Sequence, residues 1–214
     1  MTSPNDQPPH HSHGDHNDDA TMTHRFDDID QWVARFDDPA RDEWQKPREV
    51  VAALKLTPGM IVADIGAGTG YFNRYLAAAV GPDGKVLAFD IEPAMVEHMK
   101  ERAVKERTPN VLPRLATPDD PKLPEGKVDV ILICDTYHHI SDRLAYFERL
   151  KKSLRPAGRL AIVDFKPGDL PVGPPPEHKL APEFVIAELA KIGWRLTEQP
   201  EILPYQYFLI FAPR

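Results

Sequence analysis

The chain has 214 residues, of which 42% are hydrophobic and 28% are charged, and its formal net charge is −7. This length favours one domain with a sizeable core. No apolar run approaches the roughly 20 residues of a membrane-spanning helix, and the negative charge offers no overall attraction to nucleic acid. The single cysteine, Cys134, excludes an intramolecular disulfide, and no apolar signal segment follows Met1. We therefore expect a cytoplasmic monomer or homodimer that binds small molecules.

The first 24 residues are polar and rich in histidine, with little apolar surface to bury. They hold five of the nine histidines of the chain: His10, His11, His13, His16 and His24. Such histidines can bind zinc, nickel or copper loosely, but nothing in their pattern fixes four ligands in one geometry. We therefore predict a disordered tail over residues 1–24 and no metal site.

The next segment, residues 25–57, has the pattern of a helical cap. Apolar residues recur there at helical spacing and form one face: Ile29, Trp32, Val33 and Phe36. A second helix is predicted to begin at Pro47, where a missing backbone N–H does no harm, and to end at the turn TPG. We expect this cap to pack on the main domain or to cover its ligand.

From residue 58 to residue 214, short apolar strands alternate with amphipathic helices. The strands are predicted near residues 60–65, 85–90, 110–115, 128–134 and 159–165. The helices between and after them are predicted near 71–80, 93–106, 142–154 and 182–192. This alternation is typical of a parallel sheet that helices cover on both faces. Two last strands, WRLTEQ and YQYFLIFA, are joined too closely for a crossover and are expected to pair antiparallel.

A glycine-rich turn follows the first predicted strand, in the stretch VADIGAGTGYFNRYL. Gly66, Gly68 and Gly70 would let a ligand approach the backbone at the carboxyl edge of the sheet. Their spacing is G-x-G-x-G, whereas the dinucleotide fingerprint is G-x-G-x-x-G, so that Tyr71 stands where its last glycine would be. No G-K-[ST] follows the glycines, which excludes a P-loop.

Three later segments extend this pattern: KVLAFDIEPAMVEHMK (85–100), LPEGKVDVILICDTYHHI (123–140) and LKKSLRPAGRLAIVDF (150–165). Together with VADIGAGTG they resemble the class I S-adenosylmethionine-dependent methyltransferases, over about residues 45–212. Asp64 and the three glycines match the first motif of this family, D/E-x-G-x-G-x-G. Asp90 stands where the family has the acidic residue that binds the ribose hydroxyls, and a carboxylate can accept from both. Within the class, the resemblance is closest to the ubiquinone-biosynthesis and arsenite-methyltransferase group.

The resemblance implies a Rossmann-like, doubly wound α/β fold. Its sheet has seven strands in the order 3-2-1-4-5-7-6, with the last strand antiparallel. The cofactor is S-adenosylmethionine, and its methyl group moves by in-line displacement to a small-molecule acceptor that the sequence does not identify. The residues predicted to bind the cofactor are Asp64, Gly66, Ala67, Gly68, Gly70, Asp90, Ile91, Thr117, Asp119 and Asp135. For the adenine contact, Asp119 is the first candidate and Thr117 the second, and a solvated turn is an equal alternative.

The stretch CDTYHHISD follows the fourth strand, at the edge that faces the transferable methyl group in this family. Tyr137, His138 and His139 are therefore the candidate catalytic residues, either as a base or to orient the acceptor. Histidine suits both tasks because its reference pKa is near neutral. The alternative is that one of the two histidines bonds the backbone and positions the loop.

Two more segments are candidates for the acceptor side. The proline-rich stretch 166–180 is expected to be a stiff, extended loop that walls the pocket and presents Lys166 or His178, or else is a plain surface connection. In the last strand, Tyr205 and Tyr207 share one face and belong to the core or to the pocket.

Two other functional classes compete with a methyltransferase. An NAD(P)-dependent oxidoreductase also uses a glycine turn and an acidic residue after the second strand, but the glycine spacing and the terminal hairpin argue against it. The other is a non-catalytic module that binds the cofactor or a metal. One cysteine cannot reproduce the metalloid site of arsenite-type enzymes, and YHHISD replaces the LRN of ubiquinone-type enzymes, so the acceptor is left open.

Overall fold

A seven-stranded sheet organises the part of the chain that the structure, a computed structural model, describes: residues 29–214. The strands are β1 Ile61–Ile65, β2 Lys85–Asp90, β3 Val111–Leu115, β4 Val128–Cys134, β5 Leu154–Phe165, β6 Trp194–Glu198 and β7 Gln206–Pro213. Their order is β3-β2-β1-β4-β5-β7-β6; β1 to β5 are parallel, and β7 runs antiparallel to β5 and to β6. This confirms the predicted α/β fold class and strand order.

Seven α-helices surround the sheet in this part of the chain: α1 Ile29–Phe36, α2 Arg41–Gln45, α3 Pro47–Ala53, α4 Asn73–Val80, α5 Pro93–Lys105, α6 Arg143–Ser153 and α7 Pro182–Lys191. Proline stands at the first position of α3, α5 and α7, where its missing N–H and fixed φ favour a helix start. Only α2 was not predicted, because five residues are too few for a helical period. None of the helices within 29–214 is long and apolar enough to cross a membrane.

The side chains of each strand alternate between two apolar clusters, one on each face of the sheet. On β1, Val62 points into the cluster that α3, α4 and α5 cover, and Ala63 points into the cluster that α6 and α7 cover. Burial on both faces is typical of parallel sheets, whose crossover helices lie on either side. The two layers of helices leave the carboxyl edge of the sheet for the loops.

The fifth strand starts earlier than the sequence predicts. Leu154 already pairs with Val128, and the next paired residues are Arg159 and Val130, so the intervening residues of β5 bulge out of the ladder. A Cβ at Gly158 would lie 2.8 Å from the Cβ of Leu154, and this close return of the chain requires glycine. The RPAGR stretch therefore ends α6, as predicted, but it does so as an irregular first part of the strand.

The predicted tail, residues 1–24, lies outside the described residues, as do the first four residues of the predicted cap. The boundaries 25–57 and 58–214 stay predictions. Within the cap region, α1, α2 and α3 follow one another with only short connections.

Candidate active site

Four aspartates lie at the carboxyl edge of the sheet, on four neighbouring strands. Asp64 lies on β1, Asp90 ends β2, Asp135 follows β4 directly and Asp164 is near the end of β5. The carboxyl ends of these parallel strands meet at one edge, which is where open α/β sheets bind their ligands. Within residues 29–214, no three histidine, cysteine, aspartate or glutamate side chains are grouped so that they could hold a metal ion.

The turn after β1 depends on its glycines. Gly66, Gly68 and Gly70 have φ values of 71°, 55° and 79°, in the region that side chains disfavour. A Cβ at Gly66 would clash with the side chain of Thr136, in the loop after β4. The backbone N–H of Gly68 donates to Asp90 Oδ2 at 2.8 Å, so the bare backbone of the turn lies directly against the end of β2.

The two aspartates on this side of the edge are buried beside each other. Burial, and then the charge of Asp90, raise the pKa of Asp64 to about 7, although Arg41 lowers it. Burial also raises the pKa of Asp90, against the effect of backbone N–H donors from Glu92, Gly68 and Ile91. Burial therefore disfavours the ionised form of both carboxyl groups in the free protein.

The corner between α1 and α2 covers the glycine turn. A Cβ at Gly68 would lie 3.6 Å from the ring of Phe36, so this ring packs over the turn. Both carboxylate oxygens of Asp37 lie 2.8 Å from Arg102 on α5, and Oδ1 also accepts from the hydroxyl of Thr69 at 2.8 Å. The cap is thus attached to the turn and to the helix after β2.

Helix α2 reaches the tips of β1 and β4 through Arg41 and Gln45. Arg41 Nη2 lies 3.5 Å from Asp135 Oδ2. Gln45 donates to Gln206 Oε1 at 2.6 Å, and Gln206 in turn donates to Asp135 Oδ1 at 2.5 Å. Burial raises the pKa of Asp135 to about 6, while Arg41 lowers it. A chain of polar contacts therefore joins the cap, β4 and the start of β7.

The loop after β4 holds a histidine–aspartate pair. The short 3-10 helix Tyr137–His139 places His138 Nδ1 at 2.9 and 3.0 Å from the two carboxylate oxygens of Asp164 on β5. Both side chains are nearly buried, at 7% and 3% exposed. Burial disfavours the imidazolium, but the hydrogen bond and the charge of Asp164, with that of Asp135, outweigh it and raise the pKa of His138. The pair can hold a proton between the ends of β4 and β5.

The comparisons with known proteins agree with this geometry. A model of the methyltransferase domain matches residues 63–160. A solved structure of an S-adenosylmethionine-dependent methyltransferase from Aquifex aeolicus is 33% identical, with a TM-score of 0.81, over 86% of this chain and 97% of its own. The chain belongs to the S-adenosylmethionine-dependent methyltransferases. This membership confirms the predicted family, enzyme class and cofactor.

Curated methyltransferases match over smaller parts of their own length. The arsenite methyltransferase of Halobacterium salinarum is 34% identical over 114 residues, which is 53% of this chain and 29% of that protein. The nocamycin O-methyltransferase of Saccharothrix syringae is 31% identical over 162 residues, which is 72% of this chain and 58% of that protein. The chain thus spans less than two thirds of the curated relatives it matches.

The acidic side of the edge fits the cofactor of this methyltransferase family. S-adenosylmethionine carries positive charge on its sulfur and its amino group, and it has two ribose hydroxyls. Burial raises the pKa values of the Asp64 and Asp90 carboxyl groups, and a cationic ligand beside them would favour their ionised forms. Asp90 accepts from the backbone N–H of Gly68 at Oδ2 and from that of Glu92 at Oδ1, and a carboxylate with about four acceptor sites has capacity left for a hydroxyl.

The remaining residues predicted to bind the cofactor differ in their placement. The N–H of Ala67 donates to the carbonyl of Phe89, which holds the glycine turn on β2. Ile91 is 47% exposed directly beside Asp90. Thr117 donates to the carbonyl of Asp120, and Asp119 is exposed. The hydroxyl of Thr117 is thus used within the loop after β3. The predicted contact of Asp119 or Thr117 with adenine stays a prediction.

Tyr137 and His139 occupy different surroundings from His138. Tyr137 is fully buried, and its hydroxyl donates to Glu188 on α7, which also pairs with Arg143 at 2.7 Å. The ring of His139 is exposed, with its centroid 4.1 Å from that of His138. The structure thus brings His138 onto Asp164, and the predicted catalytic roles of Tyr137, His138 and His139 stay predictions.

The segment after β5 is attached to the start of β7. Lys166 Nζ donates to the carbonyls of Leu203 and Pro204, so its ammonium is held by backbone. Tyr205 lies near Trp44 of α2, with ring centroids 6.5 Å apart, and Tyr207 is buried opposite Asp164.

Sequence analysis missed four residues of this site: Arg41, Gln45, Asp164 and Gln206. One signal was available, because an aspartate near the end of the apolar run LAIVDF stands at the carboxyl edge. Arg41, Gln45 and Gln206 meet their partners only because the fold packs distant parts of the chain together.

Proposed function

We propose that this protein transfers the methyl group of S-adenosylmethionine to a small molecule whose nucleophilic atom carries a proton, with His138 as the base. The observation that carries this proposal is the contact between His138 and Asp164, at the ends of β4 and β5. Asp64, Asp90 and the glycine turn bind the methyl donor, and His138, held by Asp164, takes the proton of the acceptor.

S-adenosylmethionine, when bound, supplies a methyl group on a cationic sulfur, and this makes the methyl group strongly electrophilic. The remaining task of the protein is to hold an acceptor in line, to exclude water and to take its proton. With Nδ1–H donated to Asp164, the neutral ring of His138 keeps its lone pair on Nε2. The proton of the acceptor moves to Nε2, and Asp164 stabilises the imidazolium that forms.

Other residues support a small, proton-bearing acceptor. Aromatic rings of α2, of the end of β5 and of the residue before β7 lie together: the ring centroid of Trp44 is 5.8 Å from that of Phe165 and 6.5 Å from that of Tyr205. Such rings suit a flat organic acceptor. Cys134 is buried, and burial raises its pKa well above the usual value, so it does not offer a thiolate to a metalloid. The name of the nocamycin O-methyltransferase is compatible with an oxygen acceptor.

The test is transfer of a labelled methyl group from S-adenosylmethionine to a panel of phenols, enols, amines and thiols. We expect transfer to an acceptor with an acidic hydroxyl, and we expect His138→Gln to lower turnover about 100-fold or more while the affinity for S-adenosylhomocysteine stays unchanged. Binding of the cofactor without transfer to any acceptor would favour the non-catalytic module. Unchanged turnover in His138→Gln would show that His138 is not the base.

A further inference from the structure

We infer that Arg41 binds the α-carboxylate of S-adenosylmethionine, so that the site selects ligands that keep the amino-acid portion of the cofactor. The inference rests on the proposed cofactor and adds a residue of the cap to its site. Arg41 is the first residue of α2, and its side chain is 14% exposed.

The charge of Arg41 lies at the centre of the acidic edge. Its guanidinium approaches Asp135 at 3.5 Å, and its electrostatic effect reaches both Asp64 on β1 and Cys134 on β4. A ligand that binds at the carboxyl edge beside Asp64 and the end of β4 therefore meets this guanidinium.

The carboxylate of the cofactor needs a cation here. Carboxylates repel one another strongly in a buried site, and the edge already holds Asp64, Asp90 and Asp135. The other arginine beside the glycine turn, Arg102, is already paired with Asp37 at 2.8 Å and with Glu106 at 2.9 Å. Within residues 29–214, the one carboxylate within 4 Å of the guanidinium of Arg41 is Asp135, at 3.5 Å, so the charge of Arg41 is less neutralised than that of Arg102.

The guanidinium keeps N–H groups for a second carboxylate. Nε and Nη2 donate to Oε1 of Gln45 at 3.2 and 3.1 Å, and Nη1 donates to the carbonyl of Phe36 at 3.0 Å. One N–H of Nη1 is then left over, and the contact of Nη2 with Asp135 is long, at 3.5 Å. A ligand carboxylate therefore has the terminal nitrogens to accept from, in competition with Asp135 at Nη2.

The guanidinium is also held in a fixed plane. Its central carbon lies 4.1 Å from the ring centroid of Tyr71, the residue that follows the glycine turn. Gln45, which accepts from the edge of the guanidinium, is itself held by Gln206 at 2.6 Å. Such support lowers the entropy cost of binding a carboxylate.

The test compares two ligands that differ in the amino-acid portion, by calorimetry on the full chain. S-adenosylhomocysteine has the carboxylate, and 5′-methylthioadenosine lacks it. In Arg41→Met we expect the affinity for S-adenosylhomocysteine to fall about 10- to 100-fold, the affinity for 5′-methylthioadenosine to stay within about twofold, and Arg41→Lys to restore part of the loss. Arg48→Met, at an exposed position of α3, is the matched control and should change neither affinity.

Three results distinguish a failure of the Arg41 inference from a failure of the proposed cofactor. Equal weakening of both ligands in Arg41→Met would mean that Arg41 acts by holding the cap in place, and would overturn the inference. Unchanged affinity for both would also overturn it. If the wild-type protein bound neither nucleoside, the proposed cofactor itself would be wrong, and the inference would fall with it.

Discussion

The buried aspartates at the carboxyl edge have different surroundings on the side of β1 and β2 and on the side of β4 and β5. On the side of β1 and β2, Asp64 and Asp90 lie beside each other, and burial raises both pKa values. On the side of β4 and β5, Asp164 lies against His138, and Asp135 contacts Arg41 and Gln206. Burial disfavours ionisation of the carboxyl groups on the first side, whereas on the second side a histidine and an arginine contact the carboxylates.

Because of this difference, we expect one side to bind the cofactor and the other to transfer the proton. The first side is costly to the free protein, because burial disfavours the ionised form of both carboxyl groups. A cationic ligand would reduce this cost, so we expect the first side to control affinity for the cofactor. On the second side, the pair of His138 and Asp164 is complete without a ligand, so we expect this pair to control turnover and its pH dependence.

The largest effect is expected from Asp164→Asn. This change removes the charge that raises the pKa of His138, while the amide keeps the size of the side chain. We expect turnover to fall about 100-fold. Since His138 acts as a base only when neutral, turnover should rise with pH through its pKa, and the variant's rise should shift to lower pH. If the pH profile of the variant matched that of the wild-type protein, Asp164 would not be the residue that sets the pKa of the base.

Asp90→Ala should produce the next largest effect, on affinity rather than turnover. Loss of the acceptor for the ribose hydroxyls should weaken S-adenosylmethionine and 5′-methylthioadenosine together, by about 10- to 100-fold, as measured by calorimetry. Asp83→Ala, in the exposed turn before β2, is the matched control. Unchanged affinity in Asp90→Ala, with the fold intact by circular dichroism, would disprove the ribose assignment.

A smaller effect is expected in the protons that binding releases. Asp64 has a pKa of about 7 in the free protein, so about half of the molecules carry its proton at pH 7. A cationic ligand favours the ionised form, and binding at pH 7 should release about half a proton, and almost none at pH 9. Affinity should fall as the pH drops below 7. Calorimetry in buffers of different ionisation enthalpy measures the release, and Asp64→Asn should abolish it.

The smallest effect is expected from Tyr137→Phe. Its hydroxyl contacts Glu188 on α7 and lies away from Asp164, so the change should cost about 1 kcal/mol of unfolding free energy and leave turnover within about twofold. Thermal unfolding and steady-state rates measure the two quantities. A large loss of turnover with unchanged stability would restore Tyr137 as a catalytic residue.

The sequence predicts the cofactor side better than the acceptor side for a physical reason. The strand, the glycine turn and Asp90 form a local unit, in which Gly68 and Asp90 are 22 residues apart and the spacing itself is diagnostic. The rest of the edge depends on packing: His138, in the loop after β4, and Asp164, on β5, are 26 residues apart, and Arg41 and Asp135 are 94 residues apart. Gln45 and Gln206 are 161 apart, and no local pattern predicts that contact.

The strand order was predictable because it follows from the family's order of elements, and the periodicity of each segment supports it. The start of β5 was not, because the bulge before Arg159 depends on how Leu154 pairs with Val128. The short helix α2 was also missed, although it provides three side chains to the edge: Arg41, Trp44 and Gln45.

The measurement that tests the central claim most directly is a calorimetric titration of the full chain with S-adenosylmethionine, S-adenosylhomocysteine and NAD in parallel. The carboxylates of β1 and β2 and the G-x-G-x-G turn predict micromolar binding of the first two, on the order of −8 kcal/mol, and no binding of NAD. Binding of NAD alone would contradict the assignment of this edge to S-adenosylmethionine and would return the oxidoreductase interpretation.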